Sequence, residues 1–206
     1  MNTLNYIVEK YQIADPLPIE IPNIGRDLMA GLFNELGFKK GVELGVEAGL
    51  FSEVLCKQIP GVELFCVDAW LAYRSYREYV PQEKIDEIYE TAQKRLLPYG
   101  AKLIKGLSMD VVKTFEDESL DFVYIDANHT YSHVLNDITE WSKKVRPGGI
   151  VAGHDYIRKK SQNNKIIEAI GDYTVANKIS PWFVLGRKQN IPGEIRDKSR
   201  SWMYVK

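Results

Sequence analysis

The sequence predicts an α/β protein: a doubly wound seven-stranded sheet, mostly parallel, with a C-terminal antiparallel hairpin and helices on both faces. Three observations predict it. From residue 41 to residue 179, apolar runs of strand length alternate with segments of helical period, the pattern of parallel strands joined by helical crossovers. The first strand-to-helix junction is a glycine turn, with Gly45 and Gly49 four apart, and the next apolar run ends on Asp68, sixteen residues after Ser52. The last two apolar runs, 182–186 and 201–205, are separated by a segment with Gly and Pro, which allows a hairpin in place of a helical crossover.

The elements follow in order. Residues 1–37 read as a helical appendage and 38–206 as the domain that carries the sheet. In the appendage, Leu4, Ile7, Val8 and Tyr11 mark a short helix. Pro16, Pro18 and Pro22 make an extended connector, because each proline also biases its predecessor away from helix. Leu28, Leu32, Phe33 and Leu36 form a helical stripe that stops at Gly37. Strands are expected over 41–45, 62–68, 101–105, 120–126 and 150–153. Between them, Phe51, Val54, Leu55 and Ile59 carry a helical period, as do Ile85, Ile88, Tyr89, Ala92 and Leu96 over 82–97. A long helix follows the 120–126 strand, with Tyr131, Val134, Leu135, Ile138, Trp141 and Val145 inward, closed by Arg146-Pro147-Gly148-Gly149. Residues 163–179 read as the last helix. The run Phe122-Val123-Tyr124-Ile125 is apolar throughout, as suits a strand buried on both faces.

Composition narrows the function. The chain has 206 residues, 45% hydrophobic and 27% charged, which suits one domain with a sizeable core. A formal net charge of −1 supplies no bulk basic field for nucleic acid. Cys56 and Cys66 fall on apolar positions of a helix and a strand, and their spacing suggests neither zinc nor a disulfide framework. No apolar run has membrane-spanning length, and Met1-Asn2-Thr3-Leu4-Asn5-Tyr6 lacks the pattern of a signal peptide. The expectation is a cytoplasmic protein with a small-molecule partner and neither a nucleic-acid nor a membrane partner; the sequence leaves a homo-oligomer open.

The glycine turn carries chemistry. Gly45 and Gly49 let the backbone turn tightly and approach a ligand. An acid at the end of the next strand, here Asp68, accepts hydrogen bonds from a ribose diol in doubly wound nucleotide sites. The turn is not Gly-x-Gly-x-x-Gly, the form that brings a helix N-terminus onto a pyrophosphate. Glu43 and Glu47 put negative charge there, which suits a cationic ligand. The pattern Glu43-Leu44-Gly45-Val46-Glu47-Ala48-Gly49-Leu50-Phe51-Ser52 resembles the first motif of class I S-adenosylmethionine-dependent methyltransferases, which have a Rossmann-like fold and a sulfonium ligand. The resemblance implies that Glu43, Gly45, Gly49, Ser52 and Asp68 hold S-adenosylmethionine. It adds Ser108 and Met109 at the adenine, although both also suit a helix N-cap and a core position. Asp126 is a further cofactor-binding candidate.

Two strand ends complete the site. The 120–126 strand ends in Asp126-Ala127-Asn128-His129, and the 150–153 strand in Gly153-His154-Asp155. In a parallel sheet these ends share one edge, where ligands bind. Two carboxylates and an imidazole can hold a divalent cation, and a histidine can act as general base. Tyr124-Ile125-Asp126-Ala127-Asn128-His129-Thr130-Tyr131 and the segment from Arg146 to Tyr156 resemble the bacterial macrocin-type and sugar O-methyltransferases, over residues 38–157. The resemblance implies Asp126 and Asp155, with the position of His154, as ligands of magnesium, and His129 as the base. His154 departs from the Asp or Glu of relatives. Imidazole is a poor magnesium ligand, so the ion is softer, such as manganese, or His154 has another role, or no metal binds.

Residues 69–81, rich in Tyr and Arg, read either as a short amphipathic helix or as a lid over cofactor and substrate. The function these features predict is transfer of a methyl group from S-adenosylmethionine to a hydroxyl of a small molecule, of sugar or natural-product type, with metal assistance. The alternatives are a metal-independent methyltransferase on another acceptor, a non-catalytic S-adenosylmethionine-binding module, and a nicotinamide oxidoreductase, which the form of the glycine turn disfavours.

Overall fold

The computed structural model describes residues 2–13, 18–72, 80–158 and 164–206. Its strands are β1 (Ile19–Ile21), β2 (Lys40–Leu44), β3 (Glu63–Asp68), β4 (Lys102–Lys105), β5 (Leu120–Ile125), β6 (Val145–Gly153), β7 (Trp182–Leu185) and β8 (Ser201–Val205). All lie in one sheet, ordered β1-β7-β8-β6-β5-β2-β3-β4. Strand β8 is antiparallel to both its neighbours, β6 and β7, and every other pairing is parallel. The doubly wound sheet with its C-terminal hairpin is therefore as the sequence predicts.

The eighth strand is the difference. Residues 19–21 lie within the segment read as a proline connector, yet Ile19 and Ile21 are buried and pair with Phe183 and Leu185 of β7. An edge strand has one partner, so Pro18 and Pro22 on either side interrupt no second ladder. Strand β6 also begins at Val145, five residues earlier than expected, and continues past Pro147 with a register shift opposite Leu120 and Phe122. Gly149 permits this: a Cβ there would lie 2.5 Å from the Asp121 carbonyl oxygen.

The helices are α1 (Thr3–Tyr11), α2 (Arg26–Glu35), α3 (Leu50–Gln58), α4 (Gln82–Leu96), α5 (Ser108–Val111), α6 (Tyr131–Lys144) and α7 (Ile166–Ala176). Alternation along β5 divides them between two core layers. Phe122 and Tyr124 face Ile7, Met29, Phe33, Phe51, Leu55, Ala92 and Leu96 of α1 to α4. Leu120, Val123 and Ile125 face Val111, Val134, Ile138, Trp141 and Ile170 of α5 to α7. The rings of Phe33 and Phe122 stand 4.6 Å apart between centroids. Helix α2 thus belongs to the main core through Met29, Ala30, Leu32 and Phe33. Among the described residues no helix is long and apolar enough to cross a membrane.

Candidate active site

The carboxyl ends of β2, β3, β5 and β6 meet at one edge of the sheet. Strand β2 leaves it through the glycine turn. Gly45 has φ +82° and Gly49 φ +77°, and Glu47 between them has φ +51°. A Cβ on Gly45 would sit 2.0 Å from the carbonyl oxygen of Asp126, so bare backbone is what lets the ends of β2 and β5 run side by side. Asp68 closes the turn from β3. Its Oδ2 accepts from the Glu47 N–H at 2.9 Å and its Oδ1 from the Trp70 N–H at 3.0 Å. The Trp70 indole donates to the Glu47 carbonyl at 3.0 Å. The Arg95 guanidinium of α4 donates to the Ala48 carbonyl.

Glu43 and Ser52 lie beneath this turn. Both are buried, and the Ser52 hydroxyl donates to the Glu43 carboxyl. Burial pushes the Glu43 carboxyl up to about 8, against the lowering effect of that hydrogen bond. Glu47 is the exposed acid of the turn. Beyond β4, Leu107 precedes α5 as its N-cap residue, so Ser108 is not the cap. The Ser108 hydroxyl donates to Asp137 of α6 and accepts from the Trp141 indole at 2.7 Å. Burial raises the Asp137 carboxyl to about 6. Met109 packs, half-buried, against the second core layer.

At the ends of β5 and β6 the expected side chains do converge. His129 Nε2 stands 3.7 Å from Asp126 Oδ1, and its Nδ1 3.5 Å from Asp155 Oδ2. His154 Nδ1 stands 3.4 Å from Asp126 Oδ2 and 3.8 Å from Asp155 Oδ1. Two further residues join them. The Arg26 guanidinium donates to Asp126 Oδ2 at 3.2 Å, and Asp197 Oδ1 lies 3.9 Å from His154 Nε2. Burial acts to raise the Asp126 carboxyl, but hydrogen bonding from His129 and His154 and the charges of His154 and Arg26 outweigh it and hold it well below the usual carboxylate range.

Arg26 and Asp197 carried no signal in the sequence. Each comes from a segment distant in the chain, and only the docking of α2 and of the loop before Ser201 brings them here. Among the described residues, no group of three or more His, Cys, Asp or Glu is arranged to hold a metal ion. Asp126, His154 and Asp155 are neighbours, but the oxygen of Asp126 that faces His154 already carries the guanidinium cation. The donor set does not fit a divalent cation in this arrangement. Most of the Tyr- and Arg-rich segment read as a helix or lid, residues 73–79, lies outside the described residues.

Comparison with known proteins bears on the fold and the family. A family model described as a methyltransferase domain matches residues 42–156, more than half of the chain. An uncharacterized protein, y4gI, of Sinorhizobium fredii is 26% identical over 130 residues, 60% of this chain but only 14% of that protein. The O-methyltransferase of Bacillus cereus, solved in complex with S-adenosylhomocysteine, superposes with a TM-score of 0.61 at 15% identity, covering 100% of this chain and 91% of that one. The O-methyltransferase TomG of Streptomyces achromogenes, involved in tomaymycin synthesis and solved with S-adenosylmethionine, gives 0.59 at 13% identity, covering 99% and 96%. At these identities the likeness is one of fold.

Proposed function

The chain belongs to the methyltransferase-domain family, and on that premise we propose that it transfers a methyl group from S-adenosylmethionine to a hydroxyl of a small molecule, of sugar or natural-product type. One observation carries this reading: the glycine turn, Asp68 and the Asp126–His129–Asp155 group share one sheet edge on neighbouring strands. Gly45 and Gly49 offer backbone that a ligand can approach closely. Asp68 can accept from a ribose diol, and Glu47, the exposed acid of the turn, suits a sulfonium and an ammonium group. Glu43 acts through Ser52 and the turn above it, since both side chains are buried.

When bound against Gly45, Gly49 and Asp68, S-adenosylmethionine would supply an electrophilic methyl carbon to the acceptor oxygen and would keep the carbon–sulfur electron pair on sulfur. The protein's part is to hold the acceptor in line and without water, and to take its proton. His129 is the group for that proton. Its ring lies between two carboxylates, which orient it and stabilise the imidazolium that forms. His129 takes the proton without a metal beside it, because the donor set does not fit one.

Calorimetric titration with S-adenosylmethionine, S-adenosylhomocysteine and NAD tests the cofactor, and mass spectrometry on a panel of hydroxylated acceptors tests the transfer. Binding of both sulfur ligands with no NAD binding is expected. Binding without turnover on any acceptor would favour a non-catalytic module, and NAD binding would sink the reading.

A further inference from the structure

Arg26 enters the site from outside the parallel strands. It is the first residue of α2, a helix anchored by four buried side chains. Its backbone N–H donates to Asp197 Oδ2 at 3.4 Å. Its guanidinium donates to Asp126 and lies over the Phe51 ring, 4.9 Å from the centroid. The side chain is 30% exposed. Helix, ring and carboxylate fix it from three sides, and a guanidinium does not lose its proton in a protein. A divalent ion bound through Asp126 Oδ2 would have to displace Arg26, which stands 3.2 Å from that atom, and crowd His154 Nδ1, at 3.4 Å. Such an ion would stand within a few ångströms of a fixed like charge, in a partly dry site where screening is weak.

We propose that Arg26 supplies the positive charge of this edge in place of a divalent cation, as a positioning residue that holds the Asp126 carboxylate turned toward His129 and His154. It rests on the methyltransferase reading only for what the edge is used for. The exclusion of a metal is a property of the charges themselves.

The test is titration of the chain with Mn²⁺, followed by electron paramagnetic resonance, in the presence of S-adenosylhomocysteine. Wild type, Arg26→Lys, Arg26→Met and Arg26→Gln are compared, each first checked for a cooperative melt. Wild type and Arg26→Lys should leave Mn²⁺ free. The two neutral variants should gain one site per chain, at least about tenfold tighter, as expected when one opposing charge is removed a few ångströms away. Either neutral variant decides the matter if the other fails to fold. A stoichiometric site in wild type as tight as in the variants overturns the proposal, and so does weak binding in all four. A second readout is kinetic. Chelator should leave wild-type turnover unchanged, whereas Arg26→Gln should lower kcat about tenfold or more with cofactor affinity intact, the split expected when the carboxylate that orients the base is misplaced while the cofactor site is untouched. Failure of S-adenosylhomocysteine to bind wild type would overturn the methyltransferase reading, while the Mn²⁺ titration bears on Arg26 alone.

Discussion

Gly45 is where a single hydrogen atom decides the geometry of the site. Alanine there meets both a left-handed backbone, φ +82°, and the Asp126 carbonyl at 2.0 Å. Gly45→Ala should destabilise the protein by about 2–4 kcal/mol, from conformational strain plus overpacking, read as a lower urea midpoint with unchanged slope. Glu43 sets a pH dependence. Its carboxyl rises from 4.5 to about 8 on folding, chiefly by burial. The folded chain therefore keeps a proton that the unfolded chain releases above 4.5. The stability this contributes is full below about pH 4.5 and is lost as pH rises toward 8. The change is on the order of 3–5 kcal/mol across that window. Glu43→Gln should flatten the decline, which urea midpoints at pH 5 and pH 8 would reveal. An unchanged slope of stability against pH in Glu43→Gln would mean that Glu43 is ionised in the fold.

At the scale of elements, β1 and α5 give the sharpest expectations. Ile21 is buried on a strand held by β7 alone. Ile21→Ala should cost about 2–4 kcal/mol, the usual range for a buried Ile to Ala change, and should loosen α2, which follows it. Ser108 links α5 to Asp137 and Trp141 of α6. Ser108→Ala removes the partner of two buried groups and should cost about 1–3 kcal/mol in chemical denaturation. Loss of cofactor affinity with stability intact would instead mark Ser108 as an adenine contact. Elements with a strong period were legible in the sequence: β2, β3, β5, β8, α4 and α6 lie within a residue or two of their expected bounds. Strand β1 was not, because three residues between prolines have no period to read. The early start of β6 was not, because Pro147 and two glycines signal a loop, and only pairing with β5 overrides them. Of the site, Asp126, His129, His154 and Asp155 were legible as strand ends. Arg26 and Asp197 were not, since their places depend on packing between distant segments.

For the whole molecule, ligand binding and stability are linked. At a hundred times its dissociation constant, S-adenosylhomocysteine should stabilise the fold by about 2.7 kcal/mol. In a chain of 206 residues that raises Tm by about 5–10 °C, measurable by scanning calorimetry, while NAD should leave Tm where it was. The sheet order has a different consequence, one of timing. Strand β8 is the last of the eight in the chain, yet it lies between β6 and β7. Its Trp202 ring fills the space beside Gly153, where a Cβ would lie 2.5 Å from the ring. During synthesis, β4-β3-β2-β5-β6 can form while the chain is still emerging, but β7 has no path into that sheet until 201–205 leave the ribosome. Strand β1, made before any of them, must wait for β7. Strand β1 thus docks after β7 although it is made first, whereas α2 can already pack on β5 and α3, and the rim of the site nearest His154 is completed by the segment that leads into β8. Such long-range closure folds slowly. Chains halted before residue 201 should be cut readily within 145–153 in pulse proteolysis, and full-length chains should not.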